Sequence, residues 1–162
     1  MFQQGEYVIY NDSGLCLVEQ IGVPDFVSDR SKTYYFLRVQ EDGSRVYVPT
    51  DTRLPLRAPL TAEQARTLLA SLPDLPLSPP PARDHKTVQL HYQQMLRPHT
   101  CEALAQAVKT IRTRHRGAPG RMNSAEEAVL KRAEKLLCAE LAAALSLSEA
   151  DAARMMAEAM NG

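Results

Sequence analysis

The chain has 162 residues, and its 19 Lys/Arg balance 19 Asp/Glu, so no global field marks it as a nucleic-acid or membrane-surface binder. A chain of this length buries about 70% of its unfolded surface, enough for one domain or two small ones. Three cysteines, odd in number and far apart, with no apolar leader after a basic start, point to a reduced, cytosolic protein rather than a disulfide-stapled secreted one.

The first fifty residues alternate apolar and polar positions. Tyr7 and Ile9 alternate with Val8 and Tyr10, and Asn11, Asp12, Ser13 and Gly14 supply a turn. Leu15 and Leu17 then alternate with Cys16 and Val18. Asn, Asp, Ser and Gly tolerate left-handed backbone and bond their own main chain, so this pattern predicts paired antiparallel strands. A polar loop is expected over 22–33, with Phe26 and Val27 near its tip either meeting a partner or folding back onto the module. A second strand pair follows over 34–39 and 45–48, joined by a turn at Glu41, Asp42 and Gly43 and ended by Pro49. Such short strands without helical periodicity predict a small, strongly bent sheet or barrel.

Residues 51–59 hold two prolines and no periodicity, as a domain junction does. Thr61 and Gln64 have capping-box spacing and open a helix expected over 62–72. Five prolines over 73–81 forbid a regular helix or central strand and read as a stiff connector, extending to about residue 83. The remainder is helical. One helix is expected over 85–96 with Pro98 stopping it, and Thr100 caps the next, which buries Leu104, Val108 and Ile111. Gly117 and Gly120 break that helix. Ser124 and Glu127 repeat the capping-box spacing ahead of a long helix with Leu130, Leu137, Leu141 and Leu145 as its stripe. Ser148 caps a last helix whose Met155, Met156 and Met160 read as gap-filling core. The most apolar stretch, near 136–147, is interrupted by Glu140, so no membrane span is expected.

Two stretches carry a resemblance. The order FxxGExVIYxxxGxxxVExI, then YYFLRV, an acidic-glycine turn and VYVP resembles the RNA polymerase-interacting domain of CarD-type (CdnL-type) bacterial transcription regulators, which transcription-repair coupling factors share. The stretch NSAEEAVLKRAEKLLCAELAAAL is similar to a helix of the carboxy-terminal domain of the same family. The resemblance implies an α+β chain: a Tudor/SH3-like bent β-barrel over 1–54, then an all-α bundle of about five helices over 55–162. It implies a non-enzymatic regulator that holds the polymerase β subunit through the β module. The resemblance also implies a contact with promoter DNA at the upstream edge of the bubble, favouring the open complex. The residues themselves, with neither coiled-coil heptads nor a large apolar face nor a cofactor motif, lead to the expectation of a cytoplasmic monomer without cofactors. Such a factor shifts the equilibrium only by its differential affinity for the open and closed states.

Carried over residue by residue, the polymerase contact falls on Arg45, Tyr47, Pro24 and Phe26, with Tyr47 and Pro24 standing where the family has arginines. The family tryptophan that wedges into the minor groove becomes Val88, one turn before Tyr92, with Leu90, His91 and Gln93 replacing basic neighbours. Residues 84–135 hold ten Lys/Arg against five acids. The phosphate candidates there are Arg97, Lys109, Arg112, Arg114, Arg116, Arg121, Lys131, Arg132 and Lys135, of which Lys109, Arg112 and Arg116 share helical spacing. His85, His91, His99 and His115 lack metal-site spacing, and no GxSxG or phosphate-binding glycine loop occurs. Cys101 and Cys138 sit in apolar helical contexts and read as core. Two readings stay open: a regulator bridging polymerase and promoter DNA, and a protein-only adaptor that binds polymerase without DNA.

Overall fold

The computed structural model describes residues 1–116 and 122–161, and the chain separates into two compact units, Met1–Pro59 and Leu60–Gly162. The first is a curled, five-stranded antiparallel half-barrel and the second contains five helices, which makes the chain α+β.

In the first unit β1 (Tyr7–Tyr10), β2 (Gly14–Gly22), β3 (Tyr34–Val39), β4 (Arg45–Pro49) and β5 (Leu56–Arg57) take the order β4-β3-β2-β1-β5. Period-two alternation sends Val8, Cys16, Val18, Tyr35, Leu37, Val39 and Val48 to one interior face. The β1–β2 turn is a 3-10 turn over Asn11–Ser13, with positive φ at Asn11 and Gly14. Gly43 takes φ 73° in the β3–β4 turn, a backbone region that strains residues carrying a Cβ. The register slips between Val18 and Gln20, so Glu19 sits in a bulge of β2. The short strand β5 lies inside the stretch that proline content marked as a junction. Tyr10 and Leu56 are paired, and the Asn11 N–H donates to the Pro55 carbonyl at 2.8 Å.

The second unit comprises α1 (Ala62–Ser71), α2 (His85–Leu96), α3 (Cys101–His115), α4 (Ser124–Leu145) and α5 (Glu149–Asn161). The capping box forms: Gln64 N–H donates to Thr61 Oγ1 at 3.1 Å, and Thr61 N–H donates to Gln64 Oε1 at 2.9 Å. Asp84, Thr100 and Ser148 also accept amides at their helix starts. At α4 the cap is Asn123 rather than Ser124, because Asn123 Oδ1 reaches the Ala125 amide at 2.7 Å. Pro73 is the second residue of a 3-10 turn over Leu72–Asp74, within the first turn, where a missing N–H leaves no bond unmade. Leu104, Val108, Leu137, Leu141, Met156 and Met160 are interior, whereas Met155 faces outward. Residues 117–121, on which the expected helix break and Arg121 fall, lie outside the described residues. No described helix is long and apolar enough to cross a membrane.

Candidate polymerase-docking face and the fate of the basic residues

The outward positions of β3 and β4 assemble a site in the first unit. Phe36 lies directly across from Tyr47, and Arg38 across from Arg45, on the face opposite the core. Tyr47 stands between two rings: Phe26 at 4.8 Å and 79°, and Phe36 at 5.0 Å and 72°. Both angles are edge-to-face, the arrangement ring quadrupoles favour. Phe26 is nevertheless 68% exposed. It is held there by the loop, in which Arg30 Nη1 donates to the Pro24 carbonyl at 2.6 Å and Asp29 accepts from both the amide and the hydroxyl of Ser31. Those Ser31 bonds hold the Asp29 carboxyl below its usual range.

The bulge at Glu19 completes the face. Its Oε1 lies 3.2 Å from Arg38 Nη2 and 3.5 Å from Arg45 Nε. Neither contact is an aligned hydrogen bond, so this buried oxygen is an ion-pair partner without a directed donor. The Tyr47 hydroxyl, and after it Glu19, raise the Arg45 pKa above its ordinary value. Pro24, Phe26, Arg45 and Tyr47 thus line one concavity of about 380 Å³, together with Glu19 and Phe36. Phe36 was readable from sequence, since it alternates with inward Tyr35 and Leu37. Glu19 was not, because a bulge leaves no mark in a period-two pattern.

The helical unit treats its candidates differently. Val88 is 1% and Tyr92 0% exposed, and both pack with Ala107, Ile111 and Ala125. Val88, expected as an apolar wedge, is thus a buried side chain of the helical core. The face of α2 that carries Val88 and Tyr92 is turned onto α3 and α4, and a core side chain offers no surface to a base step. Tyr92 OH donates to Glu126 Oε2 at 3.2 Å, and burial pushes its pKa up to about 12. Glu126, 2% exposed, also pairs with Arg114 and lies 3.2 Å from His115 Nε2. His91 Nε2 meets the Ser78 carbonyl at 2.6 Å and so ties the proline-rich connector to α2.

Lys109 Nζ donates to three carbonyls, Leu72 at 2.8 Å, Pro73 at 2.7 Å and Leu75 at 2.8 Å. It gathers three carbonyls just past the end of α1, of which Leu72 also accepts the Leu75 amide at 3.2 Å. Arg112 pairs with Glu134, and Arg116 Nη2 donates to Asn161 Oδ1 at 2.8 Å. Arg97 is exposed at the end of α2, and Arg132 is half-buried on α4. Among the described cationic DNA candidates, Lys109, Arg112 and Arg116 line one cavity. Among the described residues no group of three or more His, Cys, Asp or Glu is placed to hold a metal ion. Burial pushes the Cys16 and Cys138 thiols up to about 11.

A family model for the CarD-like/TRCF RID domain matches residues 2–57, ending at the last residue of β5. No curated protein gives a significant match to the chain. The half-barrel with its Phe26–Tyr47–Phe36 face is a CarD-like RNA polymerase-interacting domain.

Proposed function

We propose that this chain is a non-enzymatic transcription factor that docks on the β subunit of RNA polymerase through the outer face of β2, β3 and β4. The observation that carries the reading is the cluster in which Tyr47 stands between Phe26 and Phe36 with Arg45 and Arg38 alongside, inside the matched segment. An aromatic residue left 68% exposed on a domain of this type, beside a charged pair, has the composition of an interface anchor.

For the helical unit, the burial of Val88 and Tyr92 and the internal bonds of Lys109, Arg112, Arg114 and Arg116 favour the adaptor form. In that form the unit contributes no groove wedge, and any effect on the open complex runs through polymerase. The second reading, direct contact with promoter DNA at the upstream edge of the bubble, rests on the basic excess of residues 84–135.

Capture of the polymerase β subunit by the purified chain tests the first statement. Tyr47→Ala with Arg45→Glu should weaken capture by about 30-fold or more, the loss of an anchor worth roughly 2 kcal/mol. The far-UV spectrum should be unchanged. Undiminished capture by the folded variant removes the docking face. A salt titration on forked promoter DNA separates the two helical readings. The adaptor form requires retention only when polymerase is present, whereas a salt slope belonging to the chain alone establishes the DNA contact.

A further inference from the structure

The helical unit contains a concavity that polymerase docking does not use. The last two turns of α3, the start of α4 and the end of α5 enclose a cavity of about 340 Å³. Its lining combines cationic and apolar side chains. Lys109 and Arg112 stand at i and i+3 on α3, and Arg116 follows its last residue as the C-cap, so this end of the helix delivers three cationic side chains to the cavity. Met122, Leu130 and Met160 also line it, and no carboxylate is among the described lining residues.

Part of this charge serves the fold. Lys109 is saturated by the three carbonyls at the end of α1. Helix ends at His115 and Asn161 each present a partial negative charge of about half a unit. The arginines are not saturated by the bonds described: Arg112 gives Nη2 to Glu134, and Arg116 gives Nη2 to Asn161. A guanidinium carries five N–H donors in a rigid fork suited to phosphate and carboxylate oxygens. Two such forks and three apolar side chains lining one space at the lower end of ligand-pocket sizes have the features of a small-molecule site. A DNA backbone supplies phosphates in a convex row and no apolar body to cover Met122, Leu130 and Met160.

We propose that this cavity binds a small organic phosphate with an apolar body, its phosphate on Arg112 and Arg116 and its body on Met122, Leu130 and Met160. The site is independent of polymerase docking and stands or falls separately from it.

Phenyl phosphate is the probe, with inorganic phosphate and a short DNA duplex as comparisons, titrated into the full chain carrying labelled methionine methyl groups. Phenyl phosphate should shift the Met122 and Met160 signals and leave those of Met95 and Met155 in place. Arg112→Gln with Arg116→Gln should weaken binding at least tenfold while the remaining methyl spectrum stays native. Ala157→Leu, which narrows the cavity without removing charge, should do the same. Unmoved Met122 and Met160 signals, or parental affinity in both variants, overturns the proposal. So does inorganic phosphate binding as tightly as phenyl phosphate, which reduces the site to ion screening. Displacement of phenyl phosphate by the duplex with a matching salt slope would instead make this a nucleic-acid surface.

Discussion

Replacing Glu126 by leucine removes the one carboxylate on which α2, α3 and α4 converge. Glu126 is 2% exposed and accepts from Tyr92, Arg114 and His115. Without it the Tyr92 hydroxyl, on a side chain with no exposed surface, loses its acceptor, at a cost of about 1–3 kcal/mol. Arg114 is a quarter exposed and can turn towards water, so its share falls well below the roughly 3–5 kcal/mol of a fully buried broken pair. The leucine restores some apolar burial. The expected net loss is about 2–3 kcal/mol, or roughly 10–20 °C in the unfolding midpoint of a unit this size. Denaturant unfolding followed by helical circular dichroism measures it. Tyr92→Phe deletes the stranded hydroxyl, so in the Glu126→Leu background it should cost less than in the parent, by about 1 kcal/mol. Glu126→Gln keeps an acceptor and should cost less than Glu126→Leu. Strict additivity of Tyr92→Phe and Glu126→Leu would refute the network as an energetic unit.

Lys109→Met keeps the stem of the side chain but removes the ammonium donor from the carbonyls of Leu72, Pro73 and Leu75, of which Leu72 keeps the Leu75 amide at 3.2 Å. Hydrogen-exchange protection in α1 should fall more than in α4, and equal protection would mean water replaces the ammonium without loss. The buried thiols give a pH signature. Cys16 and Cys138 are raised by burial to about 11 from 9.0, so the folded chain keeps protons that the unfolded chain releases between those values. Their contribution to stability is intact below pH 9 and lost as pH rises through 11. Thermal midpoints of the parent should therefore drop more steeply over that window than those of Cys16→Ala with Cys138→Ala, and parallel slopes would contradict the burial.

Much of this molecule is written locally. Alternation of Tyr35, Leu37 and Val39 with Phe36 and Arg38 specifies a strand with two unlike faces, and Thr61 with Gln64 specifies a helix start, because each depends on neighbours within a few residues. The shared outward face of Arg45 and Tyr47, on which the proposed docking rests, was legible for the same reason, since the two lie two apart on one strand. The two-residue strand β5 was not, since only its ladder with β1 defines it. The cap of α4 fell on Asn123 instead of Ser124, a one-residue difference that side-chain geometry decides and spacing cannot.

The amino-acid order by itself thus determined the helices, the strands β1 to β4, most helix caps and the polymerase-interacting pattern of residues 2–57, all of which are short-range. Only tertiary structure decided what the basic residues and the α2 face do. The hydrogen bonds of Lys109 reach carbonyls 34 to 37 residues away, Arg112 meets Glu134 22 residues on, and Tyr92 meets Glu126 across 34. A cation or a helix face acquires its role from whatever the fold brings within a few ångströms, and that distance is set by packing between helices, not by position along the chain.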